Sequence, residues 1–316
     1  MQVMDNRAEI RDFLATRRAK VSPEQAGVPL FGGRRRVPGL RREEVALLAG
    51  VSVDYYTRLE KGHLQGASET VLDAIADALR LNDAERDHLH NLARAARSTP
   101  RTPRRRPQQQ VRPSLIRLLD SMVGAAAFIR NARLDILAVN NLGRAVFAPV
   151  FRTPVRPANM ARFNFLDPAA RQFYPDWDTA ADTSVALLRT AAGRDPLDKA
   201  LTDLIGELAT RSDAFRTRWG HHDVRAHRTG VKHFNHPEVG LLDIEYDSLD
   251  LPGTDLTLTA YSAEPESPTA EKLALLASWH ATDHGPAGDG AAERAADRGR
   301  QDGDPATSGA KGAAES

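Results

Sequence analysis

Apolar residues in the first hundred positions recur every three or four residues, which is the spacing of amphipathic helices. The pattern predicts a helix over residues 7–19, two short helices between residues 39 and 62, and a helix over residues 68–79. Asn82 begins a fifth helix, because it and the glutamate three residues later have capping-box spacing. Five short helices predict an all-α N-terminal domain over residues 1–97.

The two short helices have the spacing of a helix-turn-helix. Gly50 ends the first one, since glycine tolerates the positive φ of a helix end. Ser52 can then cap the second by accepting a hydrogen bond from a backbone N–H. A helix pair joined by three to four residues around a glycine places its second helix in the DNA major groove. The apolar residues expected to face inward are Val45, Leu48, Ala49, Tyr56 and Leu59.

Residues on the opposite side of this pair are the candidate DNA contacts. Arg58 can make a bidentate contact to guanine, and Val53 can contact a thymine methyl group. Arginines at the start of the first helix are expected to contact DNA phosphates. The Arg-rich loop that precedes this helix is expected to contact either phosphates or the minor groove. The base-reading candidates are Ser52, Val53, Asp54, Thr57 and Arg58, and the backbone candidates are Arg41, Arg42, Arg35 and Arg36.

A different pattern starts after residue 112. Residues 126–130 and 134–140 are apolar, β-leaning runs separated by a short polar turn, and they predict a hairpin. Residues 242–247 and 256–261 alternate between apolar and polar side chains, which predicts two half-buried antiparallel strands. The helical sequence between the two pairs makes residues 113–280 an α+β domain. A PAS-like arrangement fits this pattern, although the pattern does not single it out.

Two segments lack the apolar residues of a core. Residues 98–112 contain Pro, Arg and Gln with Val111 as the only large apolar side chain, and they predict a linker. Residues 281–316 are dominated by Gly, Ala, Asp and Arg. Such a tail cannot bury enough apolar surface to fold alone, so we expect it to be disordered.

Charge divides the chain unevenly. Residues 1–106 carry 20 Lys and Arg against 14 Asp and Glu, whereas the remainder carries 23 against 28. A basic N-terminal part fits nucleic-acid binding, because neutralising phosphates supplies much of the affinity. The chain has no cysteine, which excludes disulfides and thiolate metal sites. Without a long apolar run or a leader pattern, we expect a cytoplasmic protein that does not bind membranes.

Histidines and aromatic residues suggest two kinds of site in the C-terminal part. Five of the ten histidines lie between His221 and His236, but their spacing matches no metal motif, so no metal or cofactor is assigned. The aromatic residues are typical of a core, or of an apolar pocket with nearby polar groups to orient a ligand. The ligand-binding candidates are Phe163, Phe165, Arg216, Trp219, His222, Arg225 and Phe234.

A resemblance to a known family extends over most of the chain. The segment 38–62, PGLRREEVALLAGVSVDYYTRLEKG, resembles the helix-turn-helix of the XRE class. Its sequence is especially similar to that of the MmyB-like regulators of actinomycetes. Further matching strings are NMARFNFLDP at 159–168, YPDW at 174–177, HDVR at 222–225, KHFNHPEVG at 232–240 and AEPESP at 263–268.

The resemblance implies a PAS-like C-terminal domain that accepts fatty-acid-like molecules. It also implies dimeric repressors, often set beside genes for short-chain oxidoreductases. Two departures matter. Residues 63–68 lack the usual Pro-Ser start of the next helix, which leaves its cap to Ser68, and the tail matches no shared motif.

The residues and the resemblance together predict a sequence-specific transcription regulator with no enzymatic activity. Its partner is a double-stranded operator, which a homodimer would read as two half-sites about one helical turn apart. Two alternatives remain open at this point. The C-terminal domain could be a metal-dependent enzyme that uses the histidine-rich stretch, or a module that binds another protein.

Overall fold

The computed structural model describes residues 6–28, 38–97, 110–221 and 228–281. The N-terminal part is an all-α domain, as predicted. Its helices are α1 (Asn6–Lys20), α2 (Arg42–Leu48), α3 (Val53–Glu60), α4 (Glu69–Ala78) and α5 (Asp83–Arg97). The predicted caps are present: Ser68 accepts from the backbone of Val71 at 3.3 Å, and Asn82 forms a capping box with Glu85.

Gly50 and Gly62 each adopt a positive φ at a turn of this domain. Gly50 has φ +64° directly after α2, which is the left-handed conformation expected at this turn. Gly62 has φ +97°, and a Cβ there would lie 2.6 Å from the backbone oxygen of Arg7, so α1 can pack against this turn. One prediction for α2 was wrong. Leu48 is 40% exposed, and Ala46 is buried in its place, because the short helix rotates its smaller side chains toward the core.

The C-terminal part is an α+β domain, also as predicted. Its first helix is α6 (Pro113–Asp120), followed by the hairpin of β1 (Ala126–Asn131) and β2 (Ile136–Val139). The helical middle comprises α7 (Asn141–Val146), α8 (Ala148–Phe151), α9 (Met160–Leu166), α10 (Ala169–Phe173), α11 (Trp177–Arg194), α12 (Lys199–Arg211) and α13 (Asp213–Gly220). The chain then forms β3 (Thr229–His236), β4 (Gly240–Asp250), β5 (Leu256–Ser262) and α14 (Pro268–Ala281).

The strands form one antiparallel sheet in the order β2-β1-β5-β4-β3, a PAS-like α+β arrangement. Sequence reasoning missed β3, because its residues are mostly polar and only Phe234 and His236 are buried. Helices α7, α10 and α14 contact β1, β3 and β4. We call the helix-covered side of the sheet the inner face; α6 packs on the other side, against Ala127 and Leu258.

Several predicted segments fall partly or wholly outside the described residues. They include most of the 98–112 linker, nearly all of the 281–316 tail, and the basic loop that contains Arg35 and Arg36. The domain limits at residues 97 and 280 therefore stay predictions.

Candidate nucleic-acid interface and ligand-binding domain

Helix α3 presents one side to solvent and buries the other. Tyr56 and Leu59 are at most 1% exposed and pack into the N-terminal core. Ser52 caps the helix, its hydroxyl accepting from the backbone N–H of Tyr55 at 3.1 Å, so its side chain already serves the fold. Val53 is 45% exposed. The predicted base-reading residues share this surface, with Ser52, Val53, Asp54 and Arg58 exposed and Thr57 half-buried.

The Arg58 guanidinium lies over a neighbouring ring on the same surface. Its Cζ is 5.6 Å from the ring centroid of Tyr55, a cation–π contact that leaves the guanidinium open to solvent. An arginine preorganised in this way loses less conformational entropy when it binds a planar, bidentate acceptor. Asp54, in the first turn, suits the positive end of the helix dipole.

Arg41 and Arg42 begin the preceding helix but have different surroundings. Arg42 donates to Glu60 at 3.1 Å, and Arg18 donates to both oxygens of that carboxylate at 2.9 and 3.0 Å. Burial alone would raise the pKa of Glu60, yet the hydrogen bonds from Arg18 and Arg42 outweigh it and hold that pKa below its ordinary value. Arg42 therefore supports the fold, and its contact with phosphate stays a prediction.

Arg41 is the less constrained of the two. Its side chain is 44% exposed, and its guanidinium lies 3.7 Å from the exposed Glu43 carboxylate. Its backbone N–H donates to Glu44 at 2.6 Å, which fixes the first turn of α2 without using the guanidinium. Arg35 and Arg36 lie outside the described residues, so their predicted contacts are not placed.

The aromatic candidates of the C-terminal domain divide into two clusters. Phe163 and Phe234 belong to a sheet-side cluster, in which the Phe234 ring stacks on Phe173 at 5.1 Å. Phe165 and Trp219 belong to a second cluster around Phe215, with centroids at 5.1 and 5.5 Å. The rings touch one another, so an apolar ligand would have to displace some of them. The sheet-side cluster contains Phe128, Phe147, Phe163, Phe173, Tyr174, Phe234, Tyr246 and Tyr261.

Of the three predicted head-group residues, the structure describes Arg216. Arg216 is exposed on α13 and pairs with Asp213 at 2.5 Å, because its position points to solvent while Phe215 points inward. Its assignment as a ligand contact stays a prediction. His222 and Arg225 lie outside the described residues.

Sequence reasoning missed two other cations, Arg130 and Lys232, which lie on the inner face of the sheet. Arg130 shares this face with Phe128, two residues before it, and is 8% exposed. Lys232 likewise shares it with Phe234. For Arg130 the available signal was a charge at an inward position of the apolar β1, since side chains alternate with a period of two.

The described histidines do not converge on a metal. His233 is exposed and pairs with Asp243 at 2.6 Å, whereas His236 is buried and contacts the Ala145 carbonyl at 3.1 Å. The two rings lie on opposite faces of β3, since one is exposed and the other is buried. Among the residues that the structure describes, no group of three or more potential metal ligands occurs.

The two domains are joined by a buried contact between α1, α5 and α11. Arg189, fully buried in α11, donates to the Glu9 carboxylate of α1 and to the Trp219 carbonyl. Its guanidinium also stacks 4.2 Å above the Trp219 ring. One residue thus contacts both the N-terminal domain and the second aromatic cluster.

A histidine completes this junction. The buried ring of His88 lies edge-on to Phe13 at 4.9 Å and 3.7 Å from Glu9. Burial lowers the pKa of His88, Glu9 opposes that shift, and Arg189 adds to it. Gly193 lets α11 approach, because a Cβ there would lie 2.7 Å from the His88 Cε1 atom.

Comparison with known families agrees with this architecture. Residues 9–89 match a family described as a helix-turn-helix domain. Residues 111–276, more than half of the chain, match the ligand binding domain of MmyB-like transcription regulators. The chain belongs to the MmyB-like transcription regulators. It therefore combines a DNA-binding domain with a ligand-binding domain, as the resemblance implied.

A comparison with curated proteins found no match. No helix in the described parts of the chain is long and apolar enough to cross a membrane. The matched domains are those of a transcription regulator, and neither is described as an enzyme.

Proposed function

We propose that this MmyB-like regulator binds a two-fold symmetric operator as a homodimer and represses transcription in response to a small apolar acid. The proposal that the protein binds DNA rests on the exposed side of α3, which presents Val53, Asp54 and Arg58. The opposite side of the helix is buried through Tyr56 and Leu59. Such a side can enter the major groove with its N-terminal residues on the base edges.

The proposed DNA contacts are of two kinds, contacts to base edges and contacts to phosphates, and they affect operator affinity differently. Arg58 reads bases, so Arg58→Ala should cost about 1 to 3 kcal/mol of operator affinity and relax discrimination at one base position. Arg41 contacts phosphate, so Arg41→Ala should weaken all sequences alike and reduce the salt slope by about one. Arg42 is unsuitable for this comparison, because removing it also disturbs the buried Glu60.

The test is binding of the full chain to a library of duplexes at several salt concentrations. Unchanged sequence discrimination by the Arg58→Ala protein would show that α3 is not the reader. A Glu24→Gln protein, altered at an exposed residue before α2, serves as the control and should match the wild type.

Dimerisation follows from the size of the reader. One helix covers only a few base pairs, whereas two copies read half-sites about one turn apart and gain specificity from both. Sedimentation of the protein with and without operator tests this step, and a monomer in both conditions would reject it.

Regulation would use the junction between the domains. A ligand that displaces rings near Trp219 changes the surroundings of Arg189, and through it the Glu9 contact on α1. The ligand regulates only if its affinity differs between the DNA-competent and DNA-incompetent states. Equal operator affinity with and without a bound alkyl acid would reject this regulation, and a reporter gene would distinguish repression from activation.

A further inference from the structure

The histidine at the junction between the two domains is buried without a hydrogen bond. His88 is fully buried, and neither ring nitrogen has a hydrogen-bond partner among the described residues. The Glu9 carboxylate lies 3.7 Å from its Nε2 atom, which is too far for a hydrogen bond. Buried polar groups in proteins are usually hydrogen-bonded, so an unbonded imidazole at this position needs an explanation.

The charged side chains that face this ring already balance one another. Glu9 and Arg17 act on His88 from α1, and Arg189 acts on it from α11. Arg189 pairs with Glu9, and Arg17 pairs with Glu85 at 2.5 Å. The junction therefore holds two positive and two negative charges while the imidazole is neutral. A proton on His88 would add a buried positive charge beside two arginines whose carboxylates are already paired, which is unfavourable.

Separation of the domains would change the surroundings of the ring. Gly193 of α11 lies directly against the His88 Cε1 atom, so departure of α11 would open that side of the ring to water. In the docked protein, burial lowers the pKa of His88, and the opposing effect of Glu9 does not restore the ordinary value. A solvated histidine has a pKa of about 6.5. The separated form therefore binds a proton more readily, and docking weakens as the pH falls below about 6.5.

We propose that proton uptake by His88 separates the ligand-binding domain from the DNA-binding domain. The helix released from α11 in this way is α1, which packs against the DNA-reading helix α3. No ligand takes part in this separation, so it goes beyond the regulation proposed above and can be tested without ligand or DNA.

The experiment measures domain docking by energy transfer between two fluorophores. Because the chain has no cysteine, Glu69→Cys in α4 and Thr210→Cys in α12 place one label on an exposed residue of each domain. Energy transfer in the labelled full chain should fall as the pH is lowered from about 7.5 to about 5.5. The ratio of separated to docked protein should rise by up to about ten-fold per pH unit in the range below about 6.5. Energy transfer that stays constant over this range overturns the proposal.

Two variants of the labelled chain assign the effect to one ring. His88→Leu fills similar space, loses no hydrogen bond and cannot take up a proton, so its energy transfer should not change with pH. His90→Gln is the matched control, because His90 also lies on α5 but faces α4, where it contacts Asp73 at 2.9 Å. This control should lose energy transfer as the wild type does. Separation of the His88→Leu protein in acid, or its absence in the His90→Gln protein, contradicts the assignment.

A measurement on the native ring covers the case in which His88→Leu does not fold. The NMR signals of the His88 ring in the full chain report its protonation directly. Protonation and the loss of energy transfer should share one midpoint, below about 6.5, because the docked form disfavours the charged ring. A protonated His88 in protein that keeps its full energy transfer overturns the proposal.

Discussion

Three arginines are buried among the described residues, and they differ in the origin of their carboxylate partner. Arg17 pairs at 2.5 Å with Glu85 inside the DNA-binding domain. Arg189 of the ligand-binding domain pairs with Glu9 of the DNA-binding domain. Arg130 has no carboxylate within ion-pair distance in the described chain.

The difference separates three roles for the same side chain. A buried guanidinium is costly unless it is paired, so the location of the partner indicates what the charge serves. A partner in the same domain holds that domain together, and a partner in the other domain joins the two. Without a carboxylate partner, the guanidinium keeps the cost of its burial. Each of the three arrangements can be tested separately.

The largest effect is expected from Glu85→Gln. Glutamine keeps the shape and the capping hydrogen bond but removes the negative charge, so the buried Arg17 loses its ion pair with this residue. Breaking a buried pair in this way typically costs about 3 to 5 kcal/mol, so the free energy of unfolding should fall by that amount. Denaturant titration of the full chain measures it.

An exposed pair supplies the matched control for Glu85→Gln. Asp213→Asn removes the partner of Arg216 on the surface of α13, where both side chains are at least 60% exposed. Exposed pairs contribute little, and we expect a change below about 1 kcal/mol. Similar losses in the two variants would mean that burial does not distinguish these pairs.

Gly193→Ala should have the next largest effect, at the junction between the domains. The added Cβ would lie 2.7 Å from the His88 ring, which Phe13 confines on another side, so α11 and α5 must separate. Overpacking of this kind costs about 1 to 3 kcal/mol. The variant should unfold in two steps where the wild type unfolds in one, and its operator affinity should respond less to ligand.

Gly206→Ala is the control for this substitution. Gly206 lies within α12, and nothing lies within 4 Å of the position a Cβ would take. Alanine in a helix interior is favoured over glycine by about 0.5 to 1 kcal/mol, so this variant should be slightly more stable. If the Gly193→Ala protein still unfolds in one step, the close contact between Gly193 and His88 does not hold the two domains together.

The smallest effect, of opposite sign, is expected from Arg130→Met. Methionine fills similar space without a charge, so the ligand-free protein should gain about 1 kcal/mol in free energy of unfolding. Lys232 should also regain a higher pKa, because Arg130 contributes to its shift. A loss of stability above about 2 kcal/mol in ligand-free protein would show that another group in the fold compensates the charge of Arg130.

Local sequence signals were sufficient for the helices and most strands. Gly50, Ser52 and Ser68 act through neighbours within four residues, so helix ends can be read directly from the chain. The same reasoning failed for Leu48, since in a short helix either of two neighbouring faces can meet the core. It failed for β3, whose outer side is polar, because β-propensity is weak where one face meets water.

The sequence by itself determined a basic all-α DNA-binding domain, an α+β ligand-binding domain, and the set of side chains that α3 turns toward solvent. Those features depend on periodicity, caps and charge, which are local. The tertiary structure alone decided which buried arginines are paired, and with which carboxylates. Glu9 and Arg189 are 180 positions apart in the chain. Arg130 and Lys232 share an inner face only because β5 and β4 lie between β1 and β3. Packing of distant segments sets these distances, and no local pattern encodes them.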